Sequence, residues 1–348
     1  MHSHPSHLAH KGIDPHFRKN QVKSIVFLSV LGAMLVLFSL ISLGCGSYQI
    51  SFPELIAGIF GQARDNKVNL VLRANRLPRV ISALLAGGGL GLAGCILQAV
   101  LHNPLASAST LGVSQGAGFG AALAVVVLGL GSGGIGSFAF VGSLAVALVI
   151  LALSKFKNVS AQGIVLAGVA ISAMFTGATT LIQYFADEVE LSTIVFWTFG
   201  DLGNAGWQDL GQMAGVFLVL LAFGIYHRWD YNALLSGEET AISLGIPVKR
   251  LTLVSLLLCC LTSSVTVAHV GLINFIGLAA PHIVRLAVGS NHKYLLPGSA
   301  MAGGLLLLLG DLLARTVIAP AVLPIGAITS FLGGPLFLYL LFRGGKDK

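Results

Sequence analysis

The feature that most constrains this chain is residues 80–101, a run that contains no Asp, Glu, Lys or Arg. At about 1.5 Å per helical residue it is long enough to cross the roughly 30 Å hydrocarbon core of a bilayer. There each backbone N–H and C=O must be satisfied within the segment, so the run reads as a transmembrane helix. Arg73, Arg76 and Arg79 stand just before it. Inside it Gly87 and Gly91 are four apart, and beyond the turn His102-Asn103-Pro104-Leu105-Ala106 the residues Gly112, Gly116 and Gly120 repeat the interval. Small residues at that spacing give a helix a flat face for close backbone approach. The pattern predicts a core hairpin whose two helices pack on each other.

Similar runs recur throughout. Of 348 residues 55% are hydrophobic and 9% charged, with mean hydropathy +0.88, against roughly 25% charged residues in a soluble domain. The chain is therefore all-α and polytopic, and one helical bundle accounts for its length better than two or three soluble domains. A net charge of +7 does not imply nucleic acid, because the basic residues sit in loops between spans, where they report orientation. Cys45, Cys95, Cys259 and Cys260 lie in apolar runs without CxxC spacing and read as packed small hydrophobes. Ser42-Leu43-Gly44-Cys45 is similar to a lipoprotein cleavage site, but Ser42 stands where a large aliphatic belongs and many spans follow. No P-loop pattern (GxxxxGKS or GxxxxGKT) occurs, so if the chain takes part in an ATP-driven process, the ATPase is expected on another chain and no enzyme activity is expected of this one. No cofactor or metal site is indicated.

Ten spans are expected, at residues 25–43, 80–101, 117–130, 137–153, 164–185, 211–226, 251–267, 271–285, 297–314 and 325–341. Residues 1–23 form a tail that holds five histidines (His2, His4, His7, His10, His16), read either as a flexible tail or as a metal-binding one. Residues 24–343 form one membrane domain, and 344–348 a short tail. Ser51 with Glu54 three later is a capping-box pattern for a short helix outside the membrane, with Pro53 tolerated in its first turn. Residues 191–210, with Trp197, Phe199 and Trp207, suit an external helix at the membrane interface. The polar loop 227–250 repeats the capping pattern at Ser236 and Glu239. Gly245 stands where a helix stop favours a left-handed residue, and Pro247 blocks continuation, so residues 237–244 form a surface helix. A helix that short is unstable alone in water, so it rests either on its own bundle or on a partner.

Placing both termini in the cytoplasm leaves only Arg64, Lys67, Arg73, Arg76, Arg79 and Arg315 outside, of 20 Lys and Arg. The positive-inside rule selects this topology. The outer basic group is a local exception, explained either by lipid headgroups or by an acidic partner. Asp311 and Arg315, four apart, form either a helix-stabilising pair or an intramembrane transport site. His282 and Arg285 near the inner end of the eighth span read as structural residues, with Arg285 snorkelling to the headgroups.

Arg76-Leu77-Pro78-Arg79, the glycine-rich span, Gln98 with His102 to Ala106, and Leu111-Gly112-Val113-Ser114-Gln115-Gly116-Ala117-Gly118 resemble the FecCD-type permeases. Gly271 to Arg285, with Ala280-Pro281-His282, looks like a second signature of that family. These are the membrane subunits of ABC importers for ferric siderophores, haem and vitamin B12. The resemblance implies a type II importer permease of the inner (cytoplasmic) membrane that homodimerises, with one pathway at the subunit interface. It implies two ABC ATPase subunits inside and a substrate-binding protein outside. On it, Arg76, Arg79 and Arg315 face glutamates of the binding protein. The helix carrying Glu238, Glu239, Ala241, Leu244 and Gly245 contacts the ATPase. The segment 158–162 aligns with the inner gate of vitamin B12 permeases, with Ser160, Ala161 and Gln162 where such a permease has small hydroxylated residues. The cargo it favours is a ferric siderophore or similar iron chelate, with haem or vitamin B12 as the alternative. The rival from another class, an ion-coupled secondary transporter, calls for mid-membrane carboxylates, which the spans nearly lack.

Overall fold

The computed structural model describes residues 15–46, 48, 50–155, 160–319 and 321–344. The tail histidines up to residue 10, residues 158 and 159 of the expected gate, and Lys346 and Lys348 lie outside these. Among the described residues there are helices and no strands. Ten apolar helices are α1 (Pro15–Gly44), α4 (Leu77–Val100), α5 (Val113–Ala122), α6 (Ser132–Lys155), α7 (Ala161–Phe185), α9 (Trp207–Tyr226), α12 (Val248–Val270), α13 (Ile276–Val288), α14 (His292–Thr316) and α15 (Ile325–Gly344). Five short ones join them: α2 (Phe52–Ile59), α3 (Asn66–Val71), α8 (Glu188–Phe199), α10 (Arg228–Leu234) and α11 (Glu238–Ser243). Two π-helical turns interrupt the regular helix, at Leu72–Arg76 between α3 and α4 and at Leu123–Val127 after α5. The ten spans match the expected number, although α1 begins at Pro15 and so takes in part of the expected tail.

The bundle is built around α4, which is buried on almost every side. Its glycines are used against other backbones. A methyl on Gly87 would overlap the Gly303 carbonyl of α14, one on Gly91 the Ser299 carbonyl, and one on Gly94 the Gly277 carbonyl of α13. In lipid there is no water to drive helices together, so such van der Waals contact is the main source of their association. The expected hairpin does not form: α4 and α5 scarcely touch. Instead α5 packs on α6, where Gly116 meets Gly142 and Gly120 meets the Phe138 carbonyl. The spacing correctly marks flat faces, but α4 matches its face to the distant α13 and α14, and α5 to the helix that follows it. Gly112 is not on a helix face at all; it has φ +89 at the N-terminus of α5, where an L side chain would be strained.

The short helices depart from expectation in their caps. Ser51 occupies the N-cap of α2, but its hydroxyl lies 3.5 Å from the Glu54 carboxylate and caps no amide. Pro53 removes one of the two N–H groups that such a cap can reach. The Ser236–Glu239 box is also absent. The loop holds an additional helix, α10, whose closing turn engages the Ser236 and Gly237 amides, so α11 starts after Gly237 at φ +105. Its stop is as expected: Gly245 at φ +83 donates to the Ile242 carbonyl and Ile246 to that of Ala241, a Schellman closure. A true capping box sits elsewhere, at α8, where Asp187 accepts from the Glu190 amide at 2.7 Å and Glu190 from the Asp187 amide at 3.0 Å.

Candidate functional site

At the outer end, the arginines within and just after the π turn are sorted by it. A π turn holds one more residue than an α turn and so shifts the helix phase. Arg73 is left exposed and its side chain hydrogen-bonds nothing among the described residues, while its carbonyl accepts from the Trp207 indole at 3.0 Å. Arg76 is 5% exposed; its guanidinium donates to the Leu43 carbonyl at 2.8 Å and to those of Gly44 and Tyr48 at the end of α1. Arg79 is 8% exposed and bridges two acids, Asp311 at 2.8 Å and Asp201 at 3.0 Å. Arg315 binds the other Asp311 oxygen at 2.9 Å and the Ser42 hydroxyl at 2.6 Å. Glycines make room for these groups: the guanidiniums of Arg73, Arg76 and Arg79 lie against Gly61, Gly46 and Gly203.

The structure thus brings Arg76, Arg79 and Arg315 together, but turned inward. Each guanidinium is satisfied by carboxylates or helix-end carbonyls of this chain rather than offered outward. Asp311 is fully buried and shared by two arginines, so it is structural in this arrangement. The outer positive charges that remain accessible are Arg64, Lys67 and Arg73. Nearby, the Lys67 backbone N–H and then the Tyr48 hydroxyl hold the exposed Asp65 carboxyl below its usual range.

At the inner end, α10 is the element the sequence reading missed. It is fastened at three points. Tyr231 hydrogen-bonds Ser255 of α12 at 2.9 Å. Asn232 accepts from the His292 amide at 2.8 Å and donates to Asn291 at 3.1 Å. The Leu234 carbonyl meets His102 at 3.1 Å. On this base α11 rests through Ala241, which is fully buried, while Glu238, Glu239, Ile242, Leu244 and Gly245 face outward. Leu244 is 68% and Ile242 57% exposed, a high exposure for aliphatic side chains on a polar cytoplasmic loop. Ser160 caps α7 by accepting from the Gly163 amide at 3.1 Å. Ser160, Ala161 and Glu238 line one recess, while Gln162 is exposed on α7. His282 and Arg285 stay inside the bundle, with Arg285 donating to Gln98 at 2.9 Å.

With that arrangement in view, comparison with known proteins is decisive. The model of the FecCD transport family matches residues 34–343. The chain belongs to the FecCD transport family. A Methanocaldococcus jannaschii chain described as an ABC transporter permease is 45% identical over 333 residues, covering 92% of this chain and 95% of that one. The hemin transport system permease of Yersinia pestis is 36% identical and covers 92% and 97%. Further relatives are named for Fe(3+)-citrate import in Bacillus subtilis, at 33% identity, and vitamin B12 import in Escherichia coli, at 36%. A solved structure described as an inward-facing metal-chelate type ABC transporter superposes with TM-score 0.81 at 31% identity, covering 91% of this chain and 98% of that one. This FecCD chain is thus a multi-pass inner-membrane permease subunit of an ABC importer, and hydrolysis resides on a separate subunit. Permeases like the solved relatives work with ATPase and substrate-binding partners.

Asp201, Asn232 and Tyr231 were not singled out in the sequence. Asp201 had no motif to mark it, whereas Asp187 with Glu190 carried a readable capping pattern. The residues of α10 showed a signal only in hindsight, in the spacing of Tyr231 and Leu234 on one buried face.

Proposed function

We propose that this permease works as a homodimer that moves an iron chelate, a ferric siderophore or a similar compound, into the cytoplasm. The observation that carries the mechanism is α11, a helix closed at its C-terminus by Gly245 and clamped to the bundle through Ala241 and α10, with Ile242 and Leu244 exposed beside Glu238 and Glu239. Such a helix suits a groove on a partner, with apolar anchors and a charged rim. ATP binding on that partner would bias two arrangements of the bundle through it. Because Glu238 shares a recess with Ser160 and Ala161, movement of α11 is felt at the start of α7, where the inner gate is proposed.

A homodimer is supported by the long exposed faces of α7 and α15, including Leu166, Met174, Tyr184 and Phe331. On α7 the small and polar residues Ala173, Thr176, Gly177 and Thr180 share that exposed surface, a lining suited to a pathway between subunits. The binding protein docks on the outer face. Direct engagement of Arg76, Arg79 or Arg315 would need its carboxylates to displace the present internal partners, and half-exposed Asp201 is the easiest to displace.

The cargo reading rests on relatives named for hemin and Fe(3+)-citrate and on the metal-chelate type structure. The test is uptake of radio-iron chelate into vesicles holding this chain, its ATPase and its binding protein. ATP-dependent accumulation of iron is expected. Accumulation of haem or vitamin B12 instead of the ferric chelate would overturn the cargo, and uptake without ATP would overturn the mechanism.

A further inference from the structure

A groove of ≈ 850 Å³ lies between the outer ends of α6, α9 and α12, apart from the outer arginines and α11. Its mouth is polar. Asp209 and Gln212 come from the first two turns of α9, His269 from the last turn of α12, and Asn204 from the turn before α9. His269 Nε2 is 3.0 Å from the Gln212 side-chain oxygen, and His269 Nδ1 is 3.3 Å from the Asp209 carboxylate. Deeper in, the wall is apolar: Phe140 and Val141 of α6 and Val265 of α12. Phe140 lies eight residues into α6 from Ser132, about 12 Å below its outer end at 1.5 Å per residue. The groove therefore changes from polar to apolar along the direction of the helices.

The surface around it faces the membrane. Val141 on α6, in the groove wall, and Leu218 and Val219 on α9 are each more than half exposed, as expected for helix faces that meet lipid. Asp209 is the one acid in the lining and is a third exposed. It accepts one bond from the Gly206 amide and contacts His269. A carboxylate has about four lone-pair sites, so acceptor capacity remains. Among the described residues the side-chain amide of Asn204 makes no hydrogen bond, and neither does the NH2 of Gln212.

We propose that this groove binds an amine-headgroup phospholipid of the outer leaflet, of the phosphatidylethanolamine class. The ammonium pairs with Asp209, the phosphate takes the amide donors of Asn204 and Gln212, and an acyl chain lies along Phe140, Val141 and Val265. An amine with N–H donors is specified because a carboxylate rewards a charged hydrogen-bond donor over a methylated or uncharged headgroup. A lipid is specified, rather than a soluble amine, because the apolar half of the groove runs down the lipid-facing surface.

The test is native mass spectrometry of the purified, delipidated full-length chain offered phosphatidylethanolamine, phosphatidylcholine and phosphatidylglycerol in equal amounts. Wild type should retain the ethanolamine lipid over the glycerol lipid by about tenfold, the scale of one charge-assisted hydrogen bond. Asp209→Asn should lose that preference. Since Asp209 also caps α9, Val141→Trp provides a second variant: it blocks the apolar half, leaves the cap intact and should lose the retained lipid. Equal retention of the three lipids, no retention at all, or unchanged preference in both variants would overturn the proposal.

Discussion

Arg79 Nε lies 2.8 Å from Asp311 Oδ1, joining the start of α4 to the outer third of α14 at a point where Asp311 has no solvent exposure. Arg315 takes the second oxygen, so one buried acid is shared by two cations. Removing one member of a buried ion pair leaves an uncompensated charge and costs about 3–5 kcal/mol.

Asp311→Asn should therefore lower the thermal midpoint of the detergent-purified chain sharply. Asp201→Asn, at the half-exposed end of the same network, should cost no more than about 1 kcal/mol. Equal midpoints for the two variants would show that Asp311 does not hold the outer ends together.

Gly91→Ala and Gly94→Ala would press a methyl into the carbonyls of Ser299 and Gly277. Overpacking of this kind costs about 1–3 kcal/mol or more, and backbone has little room to move. Gly118→Ala is the control, because a methyl there meets nothing within 4 Å and the site is helical. That variant should be neutral or stabilised by up to about 1 kcal/mol. Yield and thermal midpoint of the three proteins check the ordering.

Glu238→Arg combined with Leu244→Asp should abolish co-purification with the ATPase while leaving the thermal midpoint unchanged, since both side chains are exposed. Intact co-purification would remove α11 from the mechanism.

Arg73→Glu should weaken the binding protein's affinity, slow its association and flatten its salt dependence without changing stability, because this guanidinium, unlike those of Arg79 and Arg315, pairs with no acid among the described residues. Arg79→Glu should weaken docking and also destabilise the chain. An affinity unchanged by Arg73→Glu would assign the outer face no electrostatic role through that residue.

The spans were legible because the absence of charge over a bilayer's width leaves a chain few alternatives. Ten were expected, and among the described residues there are ten apolar helices, seven of them long enough to cross a membrane by length and composition and three shorter. Partnership was not legible. Gly87 and Gly91 announce a face, but nothing local tells α4 to choose α14 over its chain neighbour α5. The arginines followed the same rule: their number and position were plain, yet the π turn at Leu72–Arg76 decides which of them is buried. In the polar loop the stop at Gly245 was readable because it is a backbone demand of one residue. The start was not, since α10 claims the amides on which the expected cap depended.

The glycine contacts of α4 have a mechanical consequence. Where Cα atoms of one helix rest on carbonyls of the next, as at Gly87, Gly91 and Gly94, sliding by even part of a turn would bring larger neighbours into register and jam. The post made by α4 with α13 and α14 must therefore travel as a stator, whole or not at all. Compliance is left to α7 and α15, which of the ten apolar helices among the described residues touch the rest of the bundle least; any swing that opens the proposed gate would have to be carried by those two.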